Sequence, residues 1–470
     1  MKKLLKTLMV TLTCLGAWSA FGDSLYEDQG GIRWYYSVTN GEATVISKGG
    51  AFSGDIQFPE TLGECPVVAL RENAIYDAGN ATSITFPDSF RTFGARNFYY
   101  AQSLTNMTFG TGLRDFSPFQ NHDVFQSFTV PADNPYFTAD GAVLYSKDRK
   151  TLVMCGANVT TFTVPSGVTV VGPSAFREIT SLTSVTLPDG LIEIGDDAFL
   201  GCNGLAAVNL PSTLQVLGGG AFADCRTLAG ASIPAKVAKI GDGAFSACMS
   251  LSSLTIAEGV KDIGNSAFNG CVELTKVVVP NSVTNIGGWA FEYCTKLSDV
   301  PIGSGVVRIG DPAEWYMEEW DGEEWPALSE PSTAFGDCDS LLDFKLADGN
   351  TVYEEIGGCL FFRDTPKESK TLAVYPSGRT DFYFTGDVNV TTIAPAACAY
   401  CGKLEDIVIT NSVREIGIMG FSNCNLLRKV VIPDGPTNIS YGAFKLNMEL
   451  ADVEIAGTVK KIGDFAFMHS

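Results

Sequence analysis

The pentapeptide Ala-Phe-x-x-Cys occurs five times in succession, at 198–202, 221–225, 244–248, 267–271 and 290–294, each copy 23 residues after the last. The register runs wider than these copies. Phe176 precedes Phe199 by the same step, Phe421, Phe444 and Phe467 keep it near the C-terminus, and Ile75 and Phe98 keep it near the N-terminus. A second column holds Ile194, Leu217, Ile240, Ile263, Ile286 and Ile309, each followed by Gly. A third holds Pro188, Pro211, Pro234 and Pro280, with Ala257 as the exception. A fixed period of about 20–30 residues over most of a chain marks a solenoid. It overrides the roughly three globular domains that this length would otherwise suggest.

One repeat, LTSVTLPDGLIEIGDDAFLGCNG (182–204), shows how a coil is written. Leu182, Val185 and Leu187 alternate with Ser184 and Thr186, the pattern of a short strand with one face inward. Pro188 cannot donate a ladder hydrogen bond and ends the strand; Asp189-Gly190 is turn chemistry. LIEIG reads as a second extended piece, with Ile192 and Ile194 both candidates for burial. Asp followed by Ala-Phe suits one capped helical or 3₁₀ turn. A single coil cannot bury its inward face. Stacked on a neighbour about 4.8 Å away, its Phe, Ile and Leu join continuous columns.

These residues, above all the Ile-Gly-x-x-Ala-Phe-x-x-Cys string, closely resemble the BspA-like leucine-rich repeat, a 23-residue class of bacterial and some protist surface proteins. The resemblance covers roughly residues 65–467 with three interruptions. It implies a β-rich, right-handed leucine-rich-repeat solenoid with a parallel sheet on one face and, on the reading above, short helical or 3₁₀ turns on the other. It also implies extracellular binding, often adhesion, and supplies no catalytic residue. The expected organisation is a signal peptide (1–22), an N-terminal capping hairpin (23–64), first repeats (65–133), a hairpin interruption (134–160) and regular repeats (161–310). A Trp-rich acidic insertion (311–333), one repeat (334–348), a second hairpin (349–380) and C-terminal repeats (381–470) follow. The last coil shows no cap, so the chain is expected either to be a fragment or to meet a partner at that edge.

The first 22 residues have a basic start (Lys2, Lys3, Lys6), an apolar run and small residues at Ala20 and Gly22, the form of a secretory signal. The net charge is −21, and loss of those three lysines leaves −24. Nucleic acid needs a basic footprint and is a poor partner. No later stretch reaches the roughly 18 apolar residues of a membrane span. An exported chain with 13 cysteines would normally suggest disulfides. Here Cys202, Cys225, Cys248, Cys271, Cys294, Cys338, Cys401 and Cys424 occupy one column, where parallel stacking holds Cβ atoms about 4.8 Å apart. That exceeds the usual disulfide range of about 3.5–4.5 Å, and a line of thiols does not converge on a tetrahedral metal. The column is expected to be a buried ladder of free thiols. Cys65, Cys155, Cys359 and Cys398 lie off it, unassigned.

Catalysis finds little support. There are only two histidines, His122 and His469, and none of the motifs G-x-S-x-G, H-E-x-x-H or a phosphate-binding glycine loop occurs. No enzyme activity, metal or cofactor is expected. Individuality resides in the interruptions. DGAVLYSKDRKTLVMCG (140–156) and GGCLFFRDTPKESKTLAVYPSG (357–378) read as hairpins. The third, DPAEWYMEEWDGEEWPALSEPST (311–333), adds 21 residues to the Phe291–Phe335 interval and holds three of the six tryptophans. Trp315, Tyr316, Trp320 and Trp325 are the candidate ligand-binding residues, because exposed aromatics anchor interfaces or stack on sugar rings. The bland alternative folds the tryptophans back on the solenoid flank. A second candidate strip is the outward face of the first strands, from Ser184 and Thr186 to Asp452 and Glu454. The expected function is non-catalytic adhesion or protein binding, secreted or at the cell surface, with an extracellular protein or glycan as partner. The alternatives are a structural envelope component or a glycan-binding module acting through the tryptophans.

Overall fold

The computed structural model describes residues 25–50, 52–98, 101–119, 124–156, 159–311, 315–320, 323–328, 331–363, 369–383 and 388–470. The signal segment and His122 lie outside them. The chain divides into two compact units, residues 1–203 and 204–470. Each is a β-solenoid of parallel stacked coils, with no helix among the described residues.

In the first unit an antiparallel meander of Leu25–Gln29, Ile32–Thr39 and Glu42–Gly49 precedes the coils. Its second turn is Asn40-Gly41, both residues at positive φ (53° and 77°), the mirror-image turn that matches strand twist. Glu42–Gly49 then pairs in parallel with Cys65–Leu70, so the last strand of the meander starts the stack. Trp34 is fully buried 4.7 Å from Phe58, opening an aromatic core that continues through Phe86, Phe90, Phe93 and Phe109. The first interruption is a three-stranded meander, Phe137–Asp140, Val143–Ser146 and Thr151–Cys155, one strand more than the hairpin read from sequence. Its last strand rejoins the parallel ladder at Val170–Val171 and Glu193–Ile194.

In the second unit the two-residue strands Lys239–Ile240, Asp262–Ile263, Asn285–Ile286 and Arg308–Ile309 pair in strict 23-residue register. The same ladder resumes as Val390–Ile393, Glu415–Ile416, Asn438–Ile439 and Lys461–Ile462. The first strands form only short pieces: Gly230–Ile233 with Ser253–Ile256, and Asp406–Val408 with Lys429–Ile432 and Asp452–Ile455. The long ladder therefore belongs to the Ile-Gly column. Within the model repeat, Leu191 and Ile194 are the buried pair and Ile192 is exposed, contrary to its expected burial. The inward spacing across this segment is three residues rather than two, because the chain is bending from the turn into a strand only two residues long.

The expected helical turn at Ala-Phe is absent, and the backbone angles say why. In the coils from Phe176 to Phe291 a residue at positive φ precedes Ala and another follows Phe by two. Examples are Gly243 (65°) and Ala247 (58°), Ser266 (54°) and Gly270 (72°), and Trp289 (55°) and Tyr293 (57°). A helix needs consecutive right-handed residues, and here the hand reverses every four. Alternate N–H groups therefore point along the stack: Gly243 donates to Asn265 O (2.7 Å), Phe245 to Ala267 O (2.8 Å) and Ala247 to Asn269 O (2.7 Å). The turn face is a third coil-to-coil ladder.

Phe rings form the interior column, Phe245 lying 5.3 Å from Phe222 and 5.5 Å from Phe268 with planes within 10°. Column thiols donate to a carbonyl one coil back: Cys248 Sγ to Phe222 O (3.2 Å), Cys271 to Phe245 O (3.3 Å), Cys294 to Phe268 O (3.3 Å). Asn447 and Ser470 take the same position and donate to Phe421 and Phe444 carbonyls. The column selects a small buried donor, and Cys is one of three that serve. Every described cysteine, including Cys65, Cys155, Cys359 and Cys398, is buried and outside any disulfide. Burial pushes Cys248 up to about 12 and Cys271 and Cys294 well above the ordinary thiol value. Cys225, Cys248 and Cys271 should therefore resist alkylation in the folded protein and label fully once it is denatured without reductant. Mass spectrometry that finds neighbouring column cysteines already linked would overturn the thiol ladder. In the last coil Val453, Ile455, Ile462 and Phe465 are exposed.

Candidate functional site

The insertion at 311–333 is a two-stranded antiparallel ribbon, Trp315–Trp320 with Glu323–Leu328, and it pairs with no other strand among the described residues. Its stem is a backbone bridge in which Asp311 N donates to Ser332 O (3.1 Å) and Ser332 N to Asp311 O (3.0 Å). Two glycines make room for that stem. A Cβ on Gly310 (φ 77°) would meet Ser332 O at 2.1 Å, and one on Gly288 would meet Ser332 Oγ at 1.9 Å. Beyond the stem the coil resumes in register: Trp289 N donates to Thr333 O (2.7 Å) and Phe291 N to Ala334 O (2.8 Å). The Phe291 and Phe335 rings lie 5.4 Å apart at 4°.

Register fixes which candidates share a face. Tyr316 pairs with Ala327, Glu318 with Trp325 and Trp320 with Glu323, while Trp315 pairs with Leu328, Met317 with Pro326 and Glu319 with Glu324. Directly paired and alternate residues occupy one face. Tyr316, Glu318, Trp320, Glu323 and Trp325 therefore share a face, and Trp315 belongs to the other. Sequence inspection had grouped the three tryptophans; the ribbon divides them.

The outward strip of the first strands presents ion pairs between coils. Asp299 sits between Lys276 (2.6 Å) and Lys345, Arg379 pairs with Asp343 (2.6 Å), and Lys429 pairs with Asp452 (2.8 Å) and Glu454. These charges satisfy one another along the stack, which leaves the strip fewer groups for a ligand. Tyr383 and Tyr375 stack on the Arg379 guanidinium rather than facing a partner.

Sequence reasoning missed a buried carboxyl pair on the turn face. In the regular coils the residue after Phe is half-buried (Leu200, Ala223, Ser246, Asn269), yet Glu292 is only 7% exposed. At the next coil this column holds Gly336, and Tyr400 lies against it: a Cβ there would meet Tyr400 Cβ at 2.8 Å. Glu292 accepts from Asn269 Nδ2 (2.7 Å), and Asp337, 8% exposed, has one carboxylate oxygen without a hydrogen-bond partner. Burial, then the Asp337 charge, pushes Glu292 up to about 7 against the Asn269 hydrogen bond. Burial, then Asp339, pushes Asp337 up to about 6. Lys403 pairs with Asp339 (3.3 Å). No signal in one sequence marks these two acids, because the packing of Tyr400 on Gly336 joins distant stretches of the chain. Among the described residues no group of three or more His, Cys, Asp or Glu is placed to hold a metal ion. A shallow groove lined by Asn411, Arg414, Asp434, Thr437, Thr458 and Lys460 includes neither acid.

A 23-residue coil, three coil-to-coil ladders and columns of Phe, Ile and small donors define a leucine-rich-repeat β-solenoid. The chain belongs to the BspA-type leucine-rich repeat family, whose model matches residues 48–140, 150–272, 220–314 and 391–470. It is similar to a leucine-rich repeat protein from Bacteroides ovatus, at 20% identity over 96% of this chain and 92% of that one (TM-score 0.44). It is also similar to a leucine-rich cell surface protein from Faecalibacterium prausnitzii, at 19% identity over 96% and 93% (TM-score 0.38). The leucine-rich repeat protein of T. pallidum is 31% identical over 37% of this chain and 84% of that one (TM-score 0.33). No curated protein matches the chain. No helix among the described residues is long and apolar enough to cross a membrane.

Proposed function

We propose that the protein is a non-catalytic interaction or adhesion solenoid, secreted or held at the cell surface, that contacts an extracellular partner through the ribbon at 315–328. Family membership supports the interaction role, and the repeat family is generally non-catalytic. The observation that carries the site is the indifference of the stack to the insertion. Phe291 and Phe335 stack at 5.4 Å across it, against 5.3 Å for Phe268 and Phe291 where nothing intervenes. The fold does not need these residues, yet they concentrate half the tryptophans of the chain. Insertions in solenoids commonly serve as binding elements, and aromatic anchors dominate interface energy.

Replacing Trp315, Trp320 and Trp325 together with Ala is expected to abolish binding to the partner recovered from a screen of matrix proteins and glycans. The thermal melt should stay nearly unchanged. A variant that melts lower but keeps its partner would place the tryptophans in the solenoid flank instead.

A further inference from the structure

Resting on that reading, the register of the ribbon also points to the chemistry of the partner. Between residues 309 and 344 there is no Lys or Arg, while the two strands alone carry Glu318, Glu319, Glu323 and Glu324. Glu319 and Glu324 are direct cross-strand partners, and like charges in that relation destabilise a sheet. Glu318 and Glu323 are diagonal neighbours on the other face, roughly 7–8 Å apart at Cα in such a ladder. An isolated two-stranded ribbon is marginal in water even without such repulsion. A neutral ligand would leave the Glu318–Glu323 repulsion in place; a cationic one on that face relieves it.

The same face alternates acid and aromatic: Tyr316, Glu318 and Trp320 along one strand, Glu323 and Trp325 along the other. Arg and Lys are the side chains that both groups select, through cation–π attraction to the rings and charge-assisted hydrogen bonds to the carboxylates. The strands also differ at their edges. Pro326 removes a backbone donor from Glu323–Leu328, whereas Trp315–Trp320 contains no proline and, among the described residues, pairs on one side only. An extended segment added at a free strand edge places every second side chain on one face.

We infer that the edge of Trp315–Trp320 docks an extended peptide segment of a partner protein with Arg or Lys at alternate positions, read by the face of Tyr316, Glu318, Trp320, Glu323 and Trp325. The recognition is electrostatic in its approach and aromatic in its specificity, so affinity falls with ionic strength.

The test uses the full chain and a synthetic peptide alternating Arg and Thr, followed by tryptophan fluorescence and calorimetry at low and high salt. A neutral hexasaccharide of glucose serves as the second probe. The peptide is expected to bind, with affinity falling about tenfold from low to high salt. Glu318→Gln with Glu323→Gln should weaken it by about tenfold or more, the loss of two charge-assisted contacts. Glu319→Gln with Glu324→Gln removes the same charge from the opposite face and should change affinity by no more than about twofold. Three results overturn the proposal: no peptide binding; equal loss in both double variants, which means bulk charge without a reading face; or salt-independent binding of the hexasaccharide in place of the peptide. The broader reading fails on different data, namely a triple Trp→Ala variant that keeps the partner found by screening.

Discussion

Phe245→Ala in mid-stack is expected to lower stability by about 3–5 kcal/mol, the range for truncating a buried Phe. Phe245 is fully buried, and its ring lies between Phe222 and Phe268. Removing it deletes two stacking contacts at once and leaves a cavity that the neighbouring coils cannot close. Their spacing is set by backbone ladders on three sides, among them Phe245 N to Ala267 O. Because each coil contacts only its neighbours, the loss should appear as local opening before global unfolding. Hydrogen exchange is expected to accelerate most in the coils carrying Phe222, Phe245 and Phe268. Phe467, which is only partly buried and stacks on Phe444 from one side, should cost distinctly less when truncated. A melt and exchange pattern identical to the parent's would mean that the column is not interior.

Stability should also fall as pH rises from about 5 to 8, through Glu292 and Asp337. Their folded values, about 7 and about 6, lie above the ordinary 4.5 and 3.8. The folded state therefore holds protons that the unfolded chain has already released. That contribution is fully present below about pH 4 and is lost as pH passes through about 6 to 7, leaving two buried charges and one unpartnered oxygen. Each tenfold difference in proton affinity between folded and unfolded chain corresponds to about 1.4 kcal/mol, so the two acids together contribute a few kcal/mol. The depressed carboxyls act elsewhere. Asp55, held by Ser83 and Thr82, and Asp299, held by Lys276 and Lys345, lose their contribution only below about pH 4. Glu292→Gln together with Asp337→Asn should flatten the profile between about pH 5 and 8, read by chemical denaturation at each pH. A parent whose stability is level or rising across that window would contradict the burial of the pair.

The positions of Phe199, Ile194 and Cys202 in their columns were legible in the chain because a solenoid coil meets only its neighbours. A side chain that must stack on its own equivalent has to recur at the coil's length, and that recurrence is visible as spacing. The free state of the thiols followed from the same spacing, since parallel stacking holds them beyond disulfide reach. The splice points at 134–160, 311–333 and 349–380 were visible as departures from the period. What the period cannot carry is the direction of the backbone inside a coil. Ala247 and Tyr293 occupy left-handed conformations that their identities do not advertise, and those angles turn an expected helical turn into a coil-to-coil ladder. The bend into a strand only two residues long, equally invisible in the spacing, decides that Leu191 rather than Ile192 faces inward.

The candidate site divides in the same way. Composition alone marked the insertion as aromatic and acidic, because tryptophan and glutamate are rare enough together to be noticed. Whether Trp315 lies with Trp320 and Trp325 depends on strand pairing, where parity assigns faces. Beside Glu292, Tyr400 packs against Gly336 of the next coil, a contact between residues far apart in the chain. The chain by itself determined the coil, its columns and its interruptions, since these rest on interactions between equivalent residues one period apart. Only the tertiary structure decided the faces of the ribbon and the buried acids, since these rest on contacts between residues that no period relates.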